Sequence, residues 1–436
     1  MRWPSPPRAT PRQNGALLQG RKTRHKPSST RGSHCGPHCS CLQLLLYCLA
    51  QPRPLHPQKA ALQVVLSRGP ESMAAQTAIT LPVPEFLVIG DAFLDVQCGG
   101  LAQLPRWDAD ELVPRPIEFL AGGGGLNTAC HLARAGRRVE LRCALGDDDA
   151  GAKLRSAAAD AGVAVVPLAA PAGAATGVCV VLSGQSDRAF ATHRGAVAVA
   201  GLSDADVERA REVGARGGHV HVAGYYNMPA VRARVGELFR AVREAGGSSS
   251  LNPQWDADER WEGIGELSVA ADTAPDVLIA NQSELVRLAS QEVAGEHARE
   301  NAEKTLLHYG RSRCIIGTCG ANGSYAWPDV SGPGAYQGGL YLMGPPSFVD
   351  ATGAGDAFAA GFLTKFATAD LSIDLNDALT VGCAYGAACC AVVGASGALD
   401  TGRVAEYVSA LGPGLPCQWS PRPRRSPSQP ESQPSQ

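Results

Sequence analysis

The chain has 436 residues, 44% of them hydrophobic, and a formal net charge of −2, which is enough for one large α/β domain with appendages. The first 72 residues hold 11 Lys and Arg against a single acid, Glu71, so the rest of the chain is acidic and a nucleic-acid groove is disfavoured. Fourteen scattered cysteines show no framework spacing, and a chain of this length needs no disulfide staples, which points to a reducing compartment.

Residues 1–83 read as an N-terminal extension. His34, Cys35, His38, Cys39 and Cys41 cluster within it, yet no second ligand pair follows at finger-like distance, so a metal site is not assigned. The apolar run at 42–50 is far shorter than the ~20 residues a membrane helix needs, and no membrane contact is expected. An acid-poor leader bearing Arg and Ser suits an organellar transit peptide. The alternative is an upstream extension without function, with Met73 as the practical start. Localisation is accordingly cytoplasmic, or plastid or mitochondrial if the leader is a targeting peptide.

From 84 to 413, short β-rich runs alternate with helical stretches, as in parallel α/β folds. Strands are predicted at 86–89, 139–145, 163–166, 219–223, 277–280 and 314–318. Helices are predicted at 126–135, stopped by Gly136, and at 231–244. Two segments, 96–120 and 176–193, break the alternation. The second reads as a hairpin about a turn at 183–187, and both are assigned to a small β lid beside a doubly wound, three-layer α/β/α sheet. A lid at the C-terminal strand ends would exclude water from a ligand bound there. Residues 414–436, rich in Ser-Pro, Arg-Pro and Gln, read as a disordered tail.

The strongest chemical signal is the run Asp350 to Phe358. Gly353, Ala354 and Gly355 precede Asp356, and Phe358, Phe362 and Phe366 follow at helical spacing, so a backbone-tight loop opens a buried helix. N–H groups at a helix start attract phosphates, and a carboxylate at the lip of such a cradle can take a proton from a hydroxyl. A Gly-rich turn with Asp356 as a helix cap explains the same residues. Other chemistries find no support: there is no G-x-x-x-x-G-K-[ST] run, no H-E-x-x-H and no paired C-x-x-C.

In the order of its motifs from about Pro84 to Asp400, the chain resembles the ribokinase-like (PfkB) family of carbohydrate kinases. The resemblance implies that Asp356 is the catalytic base and that Gly353, Ala354 and Gly355 form the anion hole. It implies that Gly123 and Asn127, from the run Gly122 to Asn127, contact a sugar, and that Asp95 binds substrate hydroxyls. Asn281 and Glu284 match an N-x-x-E motif that positions Mg²⁺ through water. Thr318, Gly320 and Gly323 match the loop that receives ATP. Asp350, Thr352 and the loop 393–397 fall where relatives bind a monovalent cation such as K⁺.

Two departures bear on the substrate. Phe93 replaces a polar residue and Gly124 replaces a lysine found in ribokinases proper, which puts ribose in doubt and keeps nucleosides in play, although a core phenylalanine is the favoured reading of Phe93. The expected activity is ATP-dependent phosphorylation of a hydroxyl on a sugar or sugar-like small molecule. The rivals are a nucleoside kinase on the same fold and a catalytically idle regulatory relative. The idle relative would be marked by loss of the base or of the glycine loop, and both are present. His131 reads as structural and Arg194 as a solvated loop charge or a substrate contact. Free lid-strand edges leave room for a homodimer.

Overall fold

Alternate residues of the strands enter two different cores, which is what makes the molecule three-layered. In β1 (Phe86–Gly90), Phe86 and Val88 join the cluster that holds Leu126, Leu132, Phe358 and Phe362, whereas Leu87 and Ile89 join the one that holds Val213, Leu238 and Phe239. A strand buried on both faces reads as a continuous apolar run, and FLVIG does so. The structure is a computed structural model that describes residues 82–184, 188–269, 272–289, 312, 314–328, 335–338, 348–366, 373–411 and 418–419. The leader, the His34 to Cys41 cluster, the apolar run at 42–50, residues 185–187 of the hairpin turn and all but 418–419 of the tail lie outside the described residues.

The main sheet has nine strands in the order β13-β12-β11-β10-β9-β8-β1-β4-β5. These are β4 (Val139–Cys143), β5 (Ala164–Pro167), β8 (His219–Ala223), β9 (Ser248–Asn252), β10 (Val277–Asn281), β11 (Cys314–Thr318), β12 (Gly323–Pro328) and β13 (Ala335–Gly338). The seven strands from β11 to β5 pair in parallel, and β12 and β13 extend the edge antiparallel. The six predicted strands are all present, with ends moved by one or two residues.

β9 was missed, and its composition explains why. Its sequence SSSLN is fully buried at the centre of the sheet without an apolar pattern. Ser248 and Ser250 hydrogen-bond both ring nitrogens of His219, and Ser250 also meets His221, while Ser249 N–H donates to Asp276. Neighbouring strands satisfy these polar groups, which removes the penalty of burying them. The helix expected at 231–244 is broken into Pro229–Arg232 and Val235–Glu244. Between them Arg234 leaves the helical backbone region and its guanidinium bonds the Leu202 carbonyl, Asp204 and Glu237.

The lid is a four-stranded sheet, β3-β2-β6-β7, made of β2 (Phe93–Leu101), β3 (Glu118–Gly122), β6 (Gly177–Gly184) and β7 (Arg188–His193). β2 starts at Phe93 rather than at 96, so Asp95 belongs to the lid. Phe93 itself is 5% exposed and sits in the main core, where its ring closes on Gly177.

Candidate functional site

Two glycine-rich helix starts meet at the C-terminal end of β1. The helix Gly124–Arg134 begins against β1 so closely that a Cβ on Gly125 would lie 2.5 Å from the Gly90 Cα. Gly123, at a φ of 96°, faces the Asp91 carbonyl in the same way. Only glycine meets both demands, a left-handed backbone and close approach. Asp91 fixes this junction: its Oδ1 accepts from Gly125 N–H at 3.1 Å and its Oδ2 from Asn227 Nδ2 at 2.7 Å. His131, 1% exposed, bonds through Nε2 to the Ala395 carbonyl at 2.9 Å. Burial holds its pKa down to about 4, so it is a neutral structural donor.

Asp356 lies opposite, 9% exposed, as the third residue of the helix Ala354–Phe366. That position rules out the capping reading, because both carboxylate oxygens reach other elements. Oδ2 accepts from Asn127 Nδ2 at 2.8 Å and Oδ1 from Gln254 Nε2 at 3.2 Å. Burial pushes its pKa up to about 6, the amide of Asn127 pulling against this and the charge of Asp91 adding to it. Asp95 packs its carboxylate over the Gly122 Cα, and burial together with Asp91, Asp356 and Asp350 pushes it up to about 7. Carboxyl groups of this kind change protonation near neutral pH, where a proton acceptor is useful.

The helix start beside Asp356 opens into a cavity of about 420 Å³ lined by Thr318, Gly320, Gly323, Ala354 and Gly355 among others. Gly353 takes a φ of 78° with its Cα against Ala395, whereas nothing lies within 4 Å of a Cβ on Gly355. Ala354 N–H turns back to the Ala351 carbonyl at 3.3 Å, so Gly355 is the open member of the three. A second cleft, about 1340 Å³, runs beneath the lid hairpin and is lined by Arg188, Arg194, Asn227, Gln254 and Asn281. The two share Thr318 and Gly320.

Asn281 and Glu284 form a reciprocal pair at the start of the helix Gln282–Ala289: Asn281 N–H donates to Glu284 Oε2 at 3.0 Å, and Glu284 N–H to Asn281 Oδ1 at 2.9 Å. Such a pair caps a helix. Burial, with a contribution from Asp356, nonetheless raises Glu284 to about 7, so its charge communicates with the Asp356 carboxylate. Asp350 and Thr352 lie to one side. Asp350 accepts from Gln97 Nε2 at 2.9 Å and from the Thr352 N–H and hydroxyl. Burial acts to raise Asp350, but these hydrogen bonds and the charge of Arg188 outweigh it and hold its pKa below the ordinary value. Arg188, from lid strand β7, donates to Thr352 Oγ1 at 2.9 Å.

The structure therefore gathers Asp95, Gly123, Asn127, Glu284 and Asp356 into one acidic centre between cleft and cavity. Sequence reading overlooked Asp91, Asn227 and Gln254. Asp91 carried a signal in following Gly90 at a strand end, whereas Asn227, at the end of the 3-10 turn Tyr225–Asn227, and Gln254, in a loop, belong to no motif.

Comparison with known proteins follows the same outline. A family model described as "pfkB family carbohydrate kinase" matches residues 88–402. A protein of Halopiger xanaduensis named ATP-dependent ribose-1-phosphate kinase is 28% identical over 310 residues, covering 70% of this chain and 92% of that protein. The structure of Arabidopsis thaliana ribokinase complexed with ribose and ATP superimposes with a TM-score of 0.60 at 22% identity, over 75% of this chain and 99% of the other. Adenosine kinase from Sinorhizobium meliloti gives 0.59 at 21%, over 76% and 100%. At these identities the two structures speak for the fold.

Proposed function

Because the chain belongs to the pfkB family of carbohydrate kinases, we propose that it transfers the γ-phosphoryl group of ATP to a hydroxyl of a sugar or nucleoside, with Asp356 as the base. The observation that carries this reading is the setting of Asp356: a buried carboxylate held by two neutral amides, at the junction of a polar cleft and a glycine-lined helix start. In this reading the acceptor lies in the cleft against Asp95, Gly123 and Asn127. The nucleotide occupies the cavity against Thr318, Gly320 and Gly323, and its terminal phosphate meets the Gly353 to Gly355 helix start at its open member, Gly355. Asp356 takes the hydroxyl proton as the oxygen attacks, and the helix start stabilises the charge on the group in transit.

Glu284 fits a magnesium ion held through water. Its carboxylate is buried, and its pKa is raised by burial and by Asp356, a situation that a nearby divalent cation relieves. When bound, the ion would offset phosphate charge. No group of three or more His, Cys, Asp or Glu among the described residues is arranged to hold a metal directly. The side chains of Asp350 and Thr352 do not fit a monovalent cation. Both carboxylate oxygens of Asp350 already accept hydrogen bonds, and Arg188 places a positive charge 3.8 Å away.

A phosphorylated sugar is favoured as the acceptor by one further observation. Arg194 lines the cleft beside Arg188, is half-buried, and its guanidinium makes no hydrogen bond or ion pair among the described residues. The Halopiger relative is named for a sugar phosphate. Phe93, the residue that kept a nucleobase in play, is in the core and not in the cleft, whose aromatic lining is Phe190 and Trp255.

The test is ADP release by the full chain with Mg-ATP and a panel of ribose, ribose 1-phosphate, fructose and adenosine, beside Asp356→Ala. Acceptor-dependent turnover lost in the variant is the expected result. Turnover that survives in Asp356→Ala would remove the base from this reading.

A further inference from the structure

Gln254 follows Pro253 two residues beyond β9 and has a φ of 56°. A non-glycine residue seldom occupies this left-handed region and does so where the surroundings impose it, often at functional sites. Its N–H is tied to Asn252 Oδ1 at 3.2 Å, which fixes where its side chain leaves the backbone. The carboxamide then lies between two parts of the site. On one side Nε2 donates to Asp356 Oδ1. On the other it fills the space over Gly124, where an added Cβ would fall 1.7 Å from Nε2 and 3.2 Å from Asp356 Oδ1. The absence of a side chain at 124 is thus matched by the presence of one at 254. Gln254 also lines the cleft with Asn227 and Arg194, and its Oε1 makes no hydrogen bond among the described residues.

A carboxamide both donates and accepts. With its donor committed to Asp356, the acceptor oxygen stays available next to the oxygen that is to be deprotonated. We propose that Gln254 is an acceptor-recognition residue that reads a second hydroxyl of the acceptor. Its Nε2 orients Asp356 Oδ1, and its Oε1 accepts a hydrogen bond from that second hydroxyl. This rests on the reading of Asp356 as the base of a kinase.

The experiment uses the full chain as wild type, Gln254→Ala and Gln254→Glu, with ribose and 2-deoxyribose, ribose 1-phosphate and adenosine as acceptors. KM for acceptor, KM for ATP and kcat are followed from pH 5 to 8.5, with melting temperature as the folding control. For an acceptor turned over by wild type, Gln254→Ala is expected to raise the acceptor KM about tenfold, the loss of one hydrogen bond, and to leave the ATP KM unchanged. Gln254→Glu, which keeps an acceptor oxygen but brings negative charge to Asp356, is expected to move the acid limb of kcat upward by more than Gln254→Ala does. Of the nearby acids, Asp91 after β1 raises Asp356, and Asp356 in turn raises Asp95 on β2 and Glu284 after β10; none of them is altered. Unchanged acceptor KM and acid limb in both folded variants would overturn the role of Gln254 while leaving the kinase reading intact. A wild type inert toward the whole panel, with Asp356→Ala no different, would overturn both.

Discussion

Asn127 Nδ2 donates to Asp356 Oδ2 at 2.8 Å and so joins two residues 229 positions apart. One comes from the helix that opens on the glycine run and the other from the helix that opens on the proposed anion hole. The contact aligns the acceptor wall of the site with its base. Asp356→Asn should keep the fold and lower kcat by about 10²–10⁴-fold, the usual worth of a general base. Asn127→Ala should cost less. ADP-release kinetics on both variants check this.

The acid limb of activity should fall between about pH 6 and 7. Asp356 is pushed up to about 6 and Asp95 to about 7, the latter in part by the charge of Asp356, so the two titrations are linked. A base must be ionised, and activity is therefore lost as pH drops through that window. A profile of kcat/KM against pH measures it. An acid limb at pH 4, the ordinary carboxylate range, would contradict the buried setting.

The same shift has the opposite consequence for stability. Asp95 binds its proton more tightly in the folded chain than in the unfolded one, where its pKa is near 3.8. The native state is thus favoured at low pH and loses that advantage as pH rises toward 7. Asp95→Asn, which cannot ionise, should melt above wild type at pH 8 and level with it at pH 3.5. Differential scanning at the two pH values decides it, and equal melting at pH 8 would mean that the group is solvated.

Two glycines should fail in different ways. A Cβ on Gly125 meets the Gly90 Cα at 2.5 Å, whereas one on Gly355 meets nothing within 4 Å. Gly125→Ala should destabilise the chain by about 1–3 kcal/mol as an overpacking change. Gly355→Ala should leave the melting temperature nearly unchanged and raise the KM for ATP, because the added methyl enters the cavity at the helix start. Thermal unfolding paired with ATP kinetics separates them.

If the acceptor carries a phosphate, Arg194→Ala should raise the KM for ribose 1-phosphate by about tenfold or more, the scale of a charge-assisted hydrogen bond. The KM for ribose should change little. Equal effects on both acceptors would assign Arg194 to general packing of the hairpin.

Much of the layout was legible in the sequence because apolar runs and glycine punctuation report on local structure. FLVIG could be read as a buried strand, and the hairpin could be placed from two β-rich runs about a polar turn. β9 was not legible, since SSSLN becomes a strand only when His219, His221 and Asp276 satisfy its hydroxyls and backbone. The break at Arg234 depends in the same way on Leu202 and Asp204, some thirty residues upstream.

The sequence by itself determined the sheet-forming core, the two glycine-rich helix starts and the candidate carboxylates at 95, 284 and 356, because these depend on periodicity and backbone freedom that neighbouring residues supply. Only the tertiary structure decided what those groups are to one another. It made Asp356 a buried proton acceptor rather than a helix cap by bringing Asn127 and Gln254 to its two oxygens. It set Arg188 against Asp350 and put Phe93 in the core. Burial and charge–charge distance fix the chemistry of a carboxylate, and both arise only when distant segments pack together.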